Sequence, residues 1–153
     1  MAGSPERVAA FLKSLGCEFE LRTFDVSTKN SALAAEALGC SVAEIAKSVV
    51  FRNEGTVVVV ISGDRRVDST KLASTVGSRA TLAGPDAVRR STGYPIGGVP
   101  PFPHHEGVKV LADRSLTRFR RVWAAGGAPN VVFKMETACL LKTIGSQPVD
   151  VST

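Results

Sequence analysis

Long apolar runs are missing from this sequence. None exceeds five residues, as at 57–61, whereas a bilayer-spanning helix needs about 20, so no transmembrane segment is expected. No basic-then-apolar leader opens the chain, and no secretory signal is expected. Aromatics are scarce, with seven Phe, one Trp and one Tyr. Only Phe119 falls within a basic cluster, so a base-stacking platform for single strands is not indicated. The three cysteines, Cys17, Cys40 and Cys139, are odd in number and widely spaced. They argue against a disulfide framework and for a reducing, cytoplasmic setting. CxxC and HExxH motifs are absent, so no metal is expected, and neither a Gly-x-Ser-x-Gly elbow nor a phosphate-binding Gly-Lys-Ser/Thr loop occurs.

What remains suits one globular domain spanning 1–153. The 19 Lys and Arg exceed the 14 Asp and Glu by five, too small an excess for disorder but enough to suit an anionic partner. Arg65-Arg66, Arg89-Arg90 and Arg118-Arg120-Arg121 read either as solvated faces or as a grip on phosphates.

Start and stop signals divide the chain into short elements. Ser4-Pro5 opens a helix that Gly16 ends, and 18–24 alternates as a strand. A helix over 31–38 closes at Gly39. Ser41-Val42-Ala43-Glu44 has capping-box spacing and predicts a short helix to about Lys47, which puts Lys47 at a helix-to-strand junction. Strands follow over 48–52 and 56–62, the second apolar on both faces. Asp68 or Ser69 caps a helix through 72–75, 79–82 is a short strand, and Gly84-Pro85-Asp86 starts another helix. A strand over 108–111, an Asp113-capped turn, paired strands over 121–125 and 130–135, and a helix over 137–144 complete the chain. Helices and strands mix without regular alternation, so the class is α+β: a single domain with a mixed, curved sheet surrounded by helices.

Four of the eight prolines and four glycines lie between Gly93 and Gly107. Glycines bring backbone close to a ligand and prolines fix the loop beforehand, so this stretch either walls a binding pocket or is a surface connection. Lys47 reads locally as a helix-end charge or as a cation beside a cleft. His104-His105-Glu106 reads as a solvated loop, and Ser69-Thr70-Lys71 after Asp68 as a capped helix start.

Three blocks together carry a resemblance: Ala46-Lys47-Ser48-Val49-Val50-Phe51; Gly63-Asp64-Arg65-Arg66-Val67-Asp68 leading to Lys71-Leu72-Ala73; and Gly93-Tyr94-Pro95-Ile96-Gly97-Gly98-Val99-Pro100-Pro101-Phe102. In order and spacing they resemble the YbaK/prolyl-tRNA synthetase-associated domain family of aminoacyl-tRNA deacylases, over nearly the whole chain. The resemblance implies hydrolysis of the ester joining a wrong amino acid to a tRNA 3′ end, typically proline tRNA, without a cofactor. Lys47 matches the family's essential lysine, and Ser48 the neighbouring pocket position. Gly97, Gly98, Val99, Pro100 and Pro101 match its G-x-x-x-P loop. Lys47, Gly97 and Gly98 are the expected catalytic set, the two glycines offering amides to an oxyanion. Phe24, Ser48, Tyr94, Val99, Pro100, Pro101, Ala125, Gly126 and Gly127 are the expected substrate-binding set.

Two departures stand out. Ala125 and Val132 occupy places where the cysteine-specific branch carries Ser and Asp, which points to another small amino acid such as alanine. Pro103 stands before His104 where many relatives carry Gly. The expected partners are a tRNA acceptor end and prolyl-tRNA synthetase, with no membrane, and a monomer as the default. The rival readings are a non-catalytic tRNA or synthetase adaptor and a small-molecule regulatory domain.

Overall fold

In the computed structural model, which describes residues 4–153, three helix starts rest on side-chain caps. Ser4 Oγ accepts from the Arg7 amide at the head of α1 (Pro5–Ser14). Asn30 Oδ1 accepts from Leu33 N at 2.9 Å to open α2 (Ser31–Leu38). Asp68 Oδ1 accepts from Thr70 and Lys71 to open α3 (Ser69–Val76). Each bond satisfies an amide that the helix itself leaves unpaired, a contribution of about 1 kcal/mol. Two more helices, α4 (Pro85–Thr92) and α5 (Thr137–Ile144), end on left-handed Gly93 and Gly145.

The strands are β1 (Phe19–Thr23), β2 (Ile45–Arg52), β3 (Thr56–Ser62), β4 (Thr81–Leu82), β5 (Val108–Ala112), β6 (Arg121–Ala125) and β7 (Val131–Glu136). They form one mixed sheet in the order β1-β7-β6-β2-β3-β5, with β4 beside β2. The β3 residues Val57, Val59 and Ile61 pack under α3, while Val58 and Val60 face α1, α4 and α5. Both faces of this strand are therefore core, and burying each side chain contributes roughly 1.5–3 kcal/mol. On the α3 side, α2 covers Ile45, Trp123 and Val132.

Two expectations need correction. The capping box forms, with Glu44 Oε1 accepting from Ser41 N and Oγ, but it starts only a 3-10 turn, Val42–Glu44. Strand β2 begins at Ile45, so Lys47 lies inside a strand rather than at a helix end. Ile45, Val49, Val50 and Phe51 are β-branched or aromatic, and pairing with the valines of β3 overrides the local helix signal. The second correction concerns the cysteines. Cys17 and Cys139, 122 residues apart, are joined by a disulfide, because α5 folds back beside the end of α1. Cys40 is free, and burial pushes its thiol pKa up.

Candidate active site

The site originates in a break in sheet pairing. On one side β2 pairs with β3 from Ala46↔Ser62 to Arg52↔Thr56. On the other it meets β6 only at Ile45↔Trp123 and Ala46↔Ala124, and β4 only at Phe51↔Leu82 and Arg52↔Thr81. Ala83 N closes the far end on Val50 O at 3.0 Å. Between these contacts, Lys47, Ser48 and Val49 have no strand beside them. A cleft of about 540 Å³ opens there, within the size range of small-molecule sites.

Two loops wall the cleft. The first carries Thr28, Lys29 and Asn30, and is anchored where Thr28 N and Oγ1 both donate to Pro129 O. The second is the Gly/Pro segment, fixed from behind. Tyr94 is fully buried and its hydroxyl donates to Pro103 O at 3.0 Å. Phe102 packs on Phe11 and Phe133, with centroids 5.4 and 6.2 Å away. His104 Nε2 lies 2.8 Å from Pro100 O. A carbonyl only accepts, so Nε2 carries the proton and the buried Nδ1 is left without a partner. Burial, the largest influence, holds the His104 pKa below its usual value. His105 Nε2 lies 2.7 Å from Ser91 O. Both histidines thus brace the loop.

Gly97 borders the cleft at φ +83°, a conformation that favours glycine, and its amide has no partner among the described residues. Gly98 differs. Its amide donates to Pro95 O at 2.9 Å and its carbonyl accepts from Gly127 N at 3.0 Å. The expectation that Gly98 offers an amide to an oxyanion is therefore corrected: that donor is already used within the turn.

Lys47 is half-buried, and no carboxylate of the described residues lies within ion-pair distance of it. Its pKa is lowered, first by burial and then by Arg66, with Asp64 pulling the other way. Asp64 is engaged elsewhere: Arg118 grips both its oxygens at 2.7 and 3.1 Å, which holds its carboxyl below the usual range. The Ser48 hydroxyl is shielded from water and has no hydrogen-bond partner. A buried polar atom without a partner costs stability, about 1–3 kcal/mol, unless a ligand satisfies it.

Of the residues singled out from sequence, Lys47, Ser48, Gly97, Val99 and Ala125 border the cleft. Tyr94, Pro100 and Pro101 lie buried behind its wall. Gly126 and Gly127 form the turn between β6 and β7, where Gly126 N bonds Val131 O. Phe24 packs with the α2 cluster and exchanges bonds with Asn130. Sequence reasoning placed Ile96 in the Gly/Pro loop without giving it a role, and missed Lys29, Asn30, Leu82 and Trp123; all five border the cleft. Only Asn30 carried a local signal, as a polar residue before a helix start.

Comparison with known proteins gives the family and the fold. The family described as the aminoacyl-tRNA editing domain matches residues 25–143. The multifunctional Ser/Thr-tRNA deacylase ProXp-y of Escherichia coli (strain K12) is 31% identical over 144 residues, covering 90% of this chain and 86% of that protein. YwhH of Bacillus subtilis (strain 168), an uncharacterised protein, is 37% identical over 120 residues, covering 77% and 76%. The crystal structure of a candidate trans-editing enzyme for prolyl tRNA synthetase superposes with a TM-score of 0.89 at 34% identity, covering 100% of this chain and 99% of that one. The chain belongs to the aminoacyl-tRNA editing domain family.

Proposed function

We propose that this protein is a deacylase that acts in trans on mischarged tRNA, hydrolysing the ester between a small non-cognate amino acid and the 3′-terminal ribose of proline tRNA. The observation that carries this reading is the cleft at the sheet break, which Lys47, Ser48 and Gly97 all border. An aminoacyl ester is already activated, so orientation and charge stabilisation suffice, and no nucleophilic triad is needed. Water adds to the carbonyl carbon, the bond to the ribose oxygen breaks, and that oxygen leaves as the restored hydroxyl. The Gly97 amide faces charge developing on the carbonyl oxygen. Lys47 binds the terminal phosphate or ribose region and holds the ester in place. Prolyl-tRNA synthetase is the proposed partner and the cytoplasm the proposed location.

The nature of the amino acid follows from Ser48. Val50, Ala83, Val88 and Val99, which border the cleft with it, are apolar, so the subsite suits a short side chain, and a small shift of the wall that uncovers the buried Ser48 hydroxyl lets it pair with a substrate hydroxyl. We therefore place serine and threonine ahead of alanine, in keeping with the name of the E. coli relative. Proline tRNA charged with serine, threonine, alanine or cysteine is incubated with the protein and ester loss followed. Fastest turnover of the hydroxyl-bearing pair is expected, and Ser48→Ala should narrow their lead over alanine. Absence of turnover on all four substrates would overturn the deacylase reading.

A further inference from the structure

The cleft rim carries two apolar side chains that the fold itself does not use. Leu82 is 69% exposed and Ile96 is 55% exposed. Both border the same cleft as Lys47 and Gly97. The other large apolar side chains exposed among the described residues, Leu21, Val26 and Leu33, do not border it. Neither rim residue sits on a loose segment. Leu82 lies opposite Phe51 in the β4–β2 pair, and the next residue, Ala83, is tied to Val50 O. Ile96 lies inside the turn closed by the Gly98 N to Pro95 O bond.

We infer that Leu82 and Ile96 form the binding edge for the 3′-terminal adenine of the aminoacyl-tRNA. This rests on the deacylase reading, since the ester at Lys47 and Gly97 then hangs from a ribose whose other substituent is that base. A base offers a flat face that gains from leaving water, and the usual counterpart is an aromatic ring. Trp123, the cleft's aromatic, cannot serve. It is only 6% exposed, and the cations of Arg22 and Lys134 already lie 5.2 and 5.3 Å from its ring centroid. The exposed aliphatic surface left beside the ester position is that of Leu82 and Ile96. Their contact is with the base face and not its edge, so it adds affinity without reading sequence, as suits a terminus that all tRNAs share.

The test uses direct binding, which does not depend on turnover. Two short oligoribonucleotides, one ending in CCA and one ending in CC followed by a ribose without a base, are titrated into the wild-type protein and the Leu82→Ser/Ile96→Ser variant. Amide chemical shifts report binding. Wild type should bind the adenine-bearing oligonucleotide about tenfold more tightly, the effect of burying roughly one aliphatic side chain. The variant should bind both equally and show a raised KM on mischarged tRNA with kcat little changed. Equal affinity of wild type for the two oligonucleotides, including binding to neither, would overturn the inference, as would a variant that keeps the preference. Failure of the deacylase reading shows separately, as an absence of ester loss on every charged tRNA.

Discussion

Gly97 packs directly on Lys29: a Cβ added at position 97 would fall 2.7 Å from Lys29 Cβ and 2.9 Å from Lys29 O. The two walls of the cleft therefore touch at a point where only a residue without a side chain fits, at a φ of +83° that also favours glycine. Gly97→Ala should force the walls apart and shift the amide proposed to face the ester. A displacement of about 1 Å can cost about a hundredfold in rate, and that is the loss of kcat/KM expected on mischarged tRNA. Circular dichroism of the variant should match wild type, because Gly97 lies outside every helix and strand.

Lys47 gives a prediction in which activity and stability diverge. Lys47→Ala should lose about 10²-fold in kcat/KM, the typical effect of misplacing the reacting group. Its melting temperature should equal or exceed that of wild type. The lysine's folded pKa lies below its ordinary value of 10.5, so between those two values the unfolded chain binds more protons than the native one. Below that window the native state carries the cost of a partly buried charge, and the alanine variant escapes it. Activity that depends on the cation should decline as pH rises through the lowered pKa, before 10.5 is reached, once uncatalysed ester loss is subtracted.

The Arg118–Asp64 pair engages the carboxylate whose charge acts on Lys47. Both side chains are about one-third exposed, so breaking the pair should cost at most about 1 kcal/mol of stability. Arg118→Ala frees Asp64 to approach Lys47, and kcat/KM should fall about fivefold, equivalent to about 1 kcal/mol. Adding Asp64→Asn to the Arg118→Ala variant should restore most of that rate. If the double variant stays as slow as the single one, Arg118 acts directly and not through Asp64.

His104 predicts an acid-sensitive loop. Its folded pKa is depressed below the ordinary 6.5, chiefly by burial, so it is neutral in the native state and protonates more readily once unfolded. Its contribution is therefore complete above 6.5 and is lost as pH falls from there toward the depressed value. His104→Gln keeps a donor for Pro100 O and removes the titration. The variant's melting temperature should change less than wild type between those pH values. An unchanged slope would show that another group controls acid stability.

Most elements were legible because their signals are local. Ser4, Asp68, Gly84-Pro85 and Gly145 act within a few residues, and the helices they bound lie where expected. The failures share a different cause. Glu44 completes a genuine capping box, yet the next residue belongs to β2 because β3 and β6 are there to pair with it. Cys17 meets Cys139 only once α5 has packed. At the site, the Gly/Pro segment was legible only as either a wall or a surface connection until the family resemblance favoured the wall, and sequence does not tell which of its residues face inward. Ile96, Gly97 and Val99 border the cleft, while Tyr94, Pro100 and Pro101 hold it up from behind. Leu82 escaped notice because its importance comes from the two-residue strand that carries it to the rim.

The break in pairing along Lys47, Ser48 and Val49 leaves main-chain groups, and not side chains, as a permanent part of the cleft floor. Substitution cannot remove a peptide group. On the proposed reading of the cleft, a descendant chain can therefore exchange Ser48, Val99 or Ala125 and shift which amino acid it accepts, at about 1–3 kcal/mol per methylene or more where a hydroxyl is read, while the main-chain scaffold is inherited unchanged. Fidelity against a new error is in this sense a short evolutionary step for such a fold.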